Sequence, residues 1–162
     1  MSLAPDNVYC SGCDYEARIL HGAAVCLYHL PDGSVHQHHR TRGWCYTCQE
    51  VREIEDLPDL LALQQEITDL QQLQPAPVET IARLQAQLKA FGSRTSPARC
   101  LTCGSTHISP GVVGHVHACG GTLYAEAEPS GLRFAMKERG FLLDHEGCLL
   151  PDRKSTRLNS SH

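Results

Sequence analysis

Two Cys-x-x-Cys pairs, Cys10-Ser-Gly-Cys13 and Cys45-Tyr-Thr-Cys48, constrain this chain more than any other feature. Thiolates three residues apart on a tight turn both point at one ion, and a second such pair brought alongside completes a tetrahedral sulfur site. Soft thiolates in a closed tetrahedron favour Zn2+, with a mononuclear iron centre as the weaker competitor. The reading groups Cys10, Cys13, Cys45 and Cys48 around one structural zinc. The alternative is a set of free or disulfide-bonded cysteines.

A third pair, Cys100-Leu-Thr-Cys103-Gly104, opens the C-terminal part, and Gly104 permits the left-handed turn that such knuckles use. Its partner is less regular: Gly114-His115-Val-His117-Ala-Cys119-Gly120-Gly121. Here a histidine must stand in for one thiolate. Cys119 is the secure half and His117 the preferred fourth ligand, with His115 as the possible alternative metal ligand. The second expected site is therefore Cys100, Cys103, His117 and Cys119, and the expected cofactor content is two zinc ions.

Between the first two knuckles the chain has the rhythm of short strands. Tyr15, Ala17 and Ile19 alternate with polar neighbours, Ala24 to Leu30 reads as a second strand, and Val35 to Arg40 as a third. Pro31-Asp32-Gly33-Ser34 supplies hairpin chemistry. Three antiparallel strands with knuckles at their open ends resemble a zinc ribbon, over roughly residues 8 to 50. The ribbon form is preferred to a treble clef for both modules. What the resemblance implies is a place among transcription, replication or translation proteins, by analogy of fold alone.

From Gln49 to Gly92 acidic residues outnumber Arg52, Arg83 and Lys89, and the period changes. Leu60, Leu63, Ile67, Leu70 and Leu73 keep a three-four spacing after Asp56-Leu57-Pro58-Asp59, a helix start. Pro75-Ala-Pro77 stops it, and Val78 to Phe91 repeats the stripe with Ile81, Leu84, Leu88 and Phe91. An antiparallel helical hairpin follows, its stripes packed on each other or forming part of a dimer seam. Beyond Gly121 the alternation of Thr122 to Glu128, the Leu132 to Met136 segment and Phe141 to Asp144 predict a β-meander on the second ribbon. The leftover Cys26 and Cys148 are expected as small core residues.

The expected fold class is a small, metal-stabilised α+β protein, two zinc-ribbon-like β modules joined by a helical hairpin. The expected divisions are 1–50, 51–93 and 94–152, with 153–162 read as a non-native tail. In 162 residues with 6% aromatics, no single large core is expected, and units this small need a metal staple. Three of the 14 basic residues (Arg153, Lys154, Arg157) fall in the tail, so 11 face 18 acidic ones and the remainder carries −7. That acidity disfavours nonspecific phosphate binding. The first residues lack a basic start and an apolar run, and no stretch reaches the length of a membrane span, so a cytoplasmic protein is expected.

No catalytic residues are assigned. A four-ligand site leaves no open position for water or substrate, and the chain has no phosphate loop, His-Glu-x-x-His or Gly-x-Ser-x-Gly. His36 and His38 share a strand face but lack a third ligand. Glu53, Glu55 and Asp56 read as a solvated helix start. Arg40, Arg42 and Trp44, with Tyr46 beside the second knuckle, are the possible nucleic-acid contact, the alternative being that Trp44 packs against the metal turns. Arg94, Arg99, Arg133, Lys137 and Arg139 form a second basic patch. The working function is a non-catalytic protein-interaction adaptor that binds a protein partner or a second copy through its helices. Nucleic-acid binding and a thiol redox switch stand as alternatives.

Overall fold

A computed structural model describes residues 2–3, 6–19, 24–127, 134–135 and 139–151. The expected tail and the turns at His21-Gly22 and Pro129-Ser130-Gly131 lie outside these residues, as do Arg133 and Lys137 of the second basic patch. The chain runs β1 (Ser2–Leu3), β2 (Asp6–Cys10), β3 (Glu16–Ile19), β4 (Ala24–His29), β5 (Val35–Cys45) and β6 (Glu50–Glu55). Helices α1 (Leu60–Gln71) and α2 (Val78–Phe91) follow, then β7 (Ile108–Pro110), β8 (Leu123–Ala127), β9 (Phe134–Ala135) and β10 (Arg139–Asp144).

The elements fall where their local chemistry places them. Asp59 caps α1 by accepting from the Leu61 and Ala62 amides, and Pro77 precedes α2. Asp32 accepts from the Ser34 amide, and Gly33 takes φ +87° in the reversal between β4 and β5. Leu63, Ile67, Ile81 and Leu84 bury one cluster between the helices, whose length alone would leave them marginal in water.

Strand partnership departs from expectation. β4 and β5 form the antiparallel hairpin, with Tyr28 opposite His36, but β3 does not join them. It folds back on β2, because the Cys10–Cys13 turn reverses the chain at once and the Cys10 amide bonds the Tyr15 carbonyl at 3.1 Å. The C-terminal meander is likewise corrected: its three strands go to three sheets. β8 pairs β2, β9 pairs β1, and β10 lies parallel to β4, Phe141 opposite Cys26. A strand edge offers hydrogen bonds to whichever segment tertiary packing brings alongside, and here those partners come from the other end of the chain.

Among the described residues, three small clusters replace a single core. Cys26, Tyr28, Ala90, Phe91, Leu101 and Leu143 join the β4–β5 sheet to the end of α2. Val8, Cys10, Ile19, Trp44 and Leu123 pack beneath the β2 sheet. The third lies between the helices. Cys26 is a core residue as expected, and burial pushes its thiol up to about 11. Cys148 is exposed, which corrects its assignment to the core.

Glu55 is the larger correction. It is 2% exposed, not part of a solvated helix start. Arg94 donates to both carboxylate oxygens at 2.7 and 2.6 Å, the Tyr28 hydroxyl donates at 2.7 Å, and the Arg99 amide at 2.8 Å. A buried carboxylate persists only when its lone pairs are met in this way. Nearby, Glu146 accepts from the Thr95 and Ser96 amides and is held down to about 2, the Ser96 amide being the main cause. These bonds tie residues 144–148 to the segment before Cys100.

His36 and His38 stack at 6.1 Å and set their edges against Phe91 at 5.6 and 5.0 Å. Among the described residues no third metal donor joins them. Burial, with His39 next to it, lowers the His38 pKa below the ordinary 6.5, against the pull of the Asp56 carbonyl at 2.8 Å. The neutral ring is the folded form, whereas the unfolded chain takes up a proton near 6.5. Its contribution to stability is therefore complete above that value and is lost as pH falls from 6.5 through the lowered folded pKa. An NMR titration should show the His38 ring protonating below 6.5; a midpoint at or above it would contradict the burial argument.

Candidate metal centres

The eight residues expected to bind metal form two clusters, but their grouping is exchanged. Cys10 and Cys13 meet His117 and Cys119; Cys45 and Cys48 meet Cys100 and Cys103. The expectation that Cys10–Cys13 and Cys45–Cys48 share one ion, and that Cys100, Cys103, His117 and Cys119 share the other, is corrected. In sequence the arrangement is nested, so Cys10, Cys13, His117 and Cys119 are called the outer cluster and the remaining four the inner one.

The outer cluster is built by β2–β8 pairing. β2 ends at Cys10, whose register partner is Leu123, and this sets the 117–122 loop against the Cys10–Cys13 turn. The Ser11 amide bonds the Thr122 carbonyl at 3.0 Å, and the Thr122 amide bonds Ser11 Oγ at 2.9 Å. The 117–121 turn closes on itself, His117 N–H to the Gly121 carbonyl at 2.8 Å and Gly120 N–H to the His117 carbonyl at 2.9 Å. Gly120 takes φ +89°. Gly121 is required for a different reason: a Cβ there would lie 2.4 Å from Gly12 N and 2.7 Å from Cys10 Sγ. Gly121→Ala should therefore lower outer-site metal affinity about 10–100-fold, the usual effect of displacing what supports a ligand. Competition with a chromophoric chelator measures it, and wild-type affinity would refute the packing argument.

The inner cluster hangs on β5. Its last residue, Cys45, pairs with Glu50 of β6 and Ile108 of β7, so the strands on either side carry the neighbouring knuckles. The Ile54–Cys100 bridge and a bond from the Leu101 amide to the Glu53 carbonyl at 3.0 Å bring the third knuckle onto β6. Each knuckle ends in left-handed backbone, Gly104 at φ +76° and Gln49 at φ +55°. Gly43 is crowded from across the sheet, since a Cβ would sit 2.3 Å from the Ser109 carbonyl oxygen.

The donor geometry suits a tetrahedral ion. All four ligand atoms in each cluster lie within 4.8 Å of one another. Cys10 Sγ is 3.4 Å from Cys119 Sγ, Cys45 Sγ 3.6 Å from Cys103 Sγ, and His117 Nδ1 3.3 and 3.4 Å from the sulfurs of Cys13 and Cys119. Zn–S bonds near 2.3 Å in a tetrahedron put sulfurs about 3.8 Å apart, whereas a disulfide needs about 2.05 Å. All nine cysteines are free. Backbone amides also point at sulfur, Gly12 N–H at Cys10, Gly121 at Cys119, Cys48 at Cys45 and Thr102 at Cys100, at 3.3–3.4 Å. Such bonds favour the thiolate that a metal requires.

Electrostatics differ between the clusters. The Gly12 amide is the main reason the Cys10 thiol is lowered to about 7, outweighing its burial. Burial pushes Cys45 up to about 12 despite the Cys48 amide. Burial also opposes ionisation of Cys48, but the Arg52 side chain and the neighbouring cysteines outweigh it and lower that thiol. Four thiolates around a divalent ion leave two negative charges, and Arg52 stands beside them; three thiolates and an imidazole leave one.

Trp44 is 5% exposed and belongs to the metal centres' packing, so its ring is not offered to a base. It stacks on His115 at 5.1 Å, meets the His117 ring edge-on at 5.3 Å and touches Tyr15 at 5.3 Å. His115 thus lies on the indole while His117 stands among the donors. Arg40 and Arg42 pair with Glu53 at 3.0 and 3.8 Å, their side chains mostly covered. Arg94 holds Glu55, and Arg99 donates to the Glu146 and Gly104 carbonyls. Among the described residues no helix is long and apolar enough to cross a membrane. No protein-family model, curated protein or solved structure matches the chain.

Proposed function

We propose that the protein is a non-catalytic binding module held in shape by two structural zinc ions, one in each cluster. The observation carrying this is that each cluster supplies four protein donors and so fills a tetrahedral shell by itself. Such a site polarises no substrate; its work is to close loops that small apolar clusters cannot close alone. Elemental analysis should find two zinc ions per chain, one in Cys45→Ser or Cys119→Ser only if the remaining site folds independently. A metal-free folded chain would overturn the reading.

The contact surface is assigned to the helices as an adaptor face. Their facing stripes bury each other, yet Leu61 and Val78 stay 80% and 73% exposed, and Leu73 is also open. These, not Leu63 or Leu84, are the residues to change. Leu61→Glu with Val78→Glu should abolish association measured by sedimentation without altering zinc content. A chain that stays monomeric and binds no protein would remove the adaptor role and leave the zinc role standing.

The exposed thiols Cys13, Cys103 and Cys119 favour a second reading, a redox switch in which peroxide oxidises thiolates and zinc is released. Metal retained under mild peroxide would exclude it.

A further inference from the structure

We propose that the two metal sites are coupled through Trp44: closing the inner site positions the indole on which the outer site's His117 rests, and the outer ion is the first to leave. The proposal rests on the zinc reading above and adds an order and a carrier to it.

Trp44 is adjacent to Cys45 in β5 and is therefore fixed by the inner cluster. β7, anchored on the same strand with Ser109 opposite Trp44, leads within a few residues to Val112, His115 and His117. The indole then lies flat on His115 and edge-on to His117, a ligand of the outer cluster. Tyr15, just past Cys13, closes the same contact: its ring meets both Trp44 and His117 at 5.3 Å, and its hydroxyl accepts from the Val51 amide at 3.1 Å. One inner-site neighbour thus touches both halves of the outer site.

Two further observations give the direction. The outer cluster joins positions about 104 residues apart, but once the inner knuckles are clasped the open path shortens to about 44 residues, roughly a threefold easier closure. The outer cluster has two exposed thiols, Cys13 and Cys119, and one buried, Cys10, whereas the inner one has a single exposed thiol, Cys103, and two buried at 0% and 1%, Cys45 and Cys100. A chelator therefore reaches the outer ion first. Because coupling free energy is reciprocal, the outer ion also tightens the inner site.

Trp44 is the chain's only tryptophan, so its fluorescence reports on the contact directly. The zinc-loaded full chain is treated with a competing chelator while native mass spectrometry counts ions. Two ions should leave in two phases, with the main change in Trp44 emission in the first. Cys119→Ser should keep one ion, and Cys100→Ser should hold its outer ion at least about tenfold more weakly than the wild type. Because Cys100→Ser could lose metal by unfolding alone, Trp44→Ala is the deciding variant. With the outer site empty it should hold the inner ion at wild-type affinity, and it should weaken the outer ion about tenfold or more, with Trp44→Phe restoring most of that loss. Equal outer-site affinity in Trp44→Ala, or wild-type outer-site affinity in Cys100→Ser, would overturn the coupling, and simultaneous release would overturn the order. A wild-type chain that binds no zinc overturns the structural-zinc reading itself, whereas two ions released independently overturn only this proposal.

Discussion

Removing both metal ions should cost the chain its tertiary structure, with loss of NMR dispersion and of near-ultraviolet dichroism from Trp44 and its tyrosine neighbour. Each occupied site supplies folding free energy on the order of 10 kcal/mol, as much as a domain's usual net stability of about 5–15 kcal/mol. The three apolar clusters cannot replace that amount. One contains Cys10 and Trp44, so it includes the outer site's wall. Another contains Leu101, which sits inside the third knuckle. Only the cluster between α1 and α2 is remote from the metal, and helices of 12 and 14 residues are marginal by themselves. Far-ultraviolet dichroism should therefore fall as well, and return on adding zinc. A chelated chain with unchanged spectra and melting temperature would show that the sulfur clusters are not what holds the fold.

The second large effect should come from the Glu55–Arg94 pair. Arg94→Met removes two charge-assisted hydrogen bonds and leaves a carboxylate 2% exposed with only the Tyr28 hydroxyl and the Arg99 amide to meet it. Stranding one member of a buried pair costs about 3–5 kcal/mol, whereas replacing both by apolar groups of similar volume often costs little. Urea unfolding at saturating zinc should show that loss for Arg94→Met, and much of it should be recovered in Arg94→Met with Glu55→Leu. Gly147→Ala should act at the same place, because its Cβ would lie 2.5 Å from the Arg94 guanidinium and 2.6 Å from Glu55. If Arg94→Met melts like the wild type, the pair is not the junction between β6 and the 94–99 segment.

Several features could be read without coordinates because their causes are local. A Cys-x-x-Cys turn aims two sulfurs one way whatever surrounds it, and six donors were legible on that basis; Cys119 and His117 were read from the less regular 114–121 segment, with His115 as the alternative. Val78 to Phe91 carries its apolar stripe and its flanking prolines in sequence, and the helix runs over the same residues. The β4–β5 reversal is written in Asp32-Gly33. Glu55 was not legible, because its cation is 39 positions away and nothing in Glu53-Ile54-Glu55 distinguishes a buried acid from a solvated one.

The amino-acid sequence by itself determined which groups could bind metal and that there are donors for two ions. Only the tertiary structure decided which half-site meets which. Four half-sites can be joined in three ways, and sulfur chemistry does not distinguish them. The choice was made by hydrogen bonding between distant strands, β2 with β8 and β5 with β7, whose edges can pair with many segments and find their partners only when the whole chain is packed.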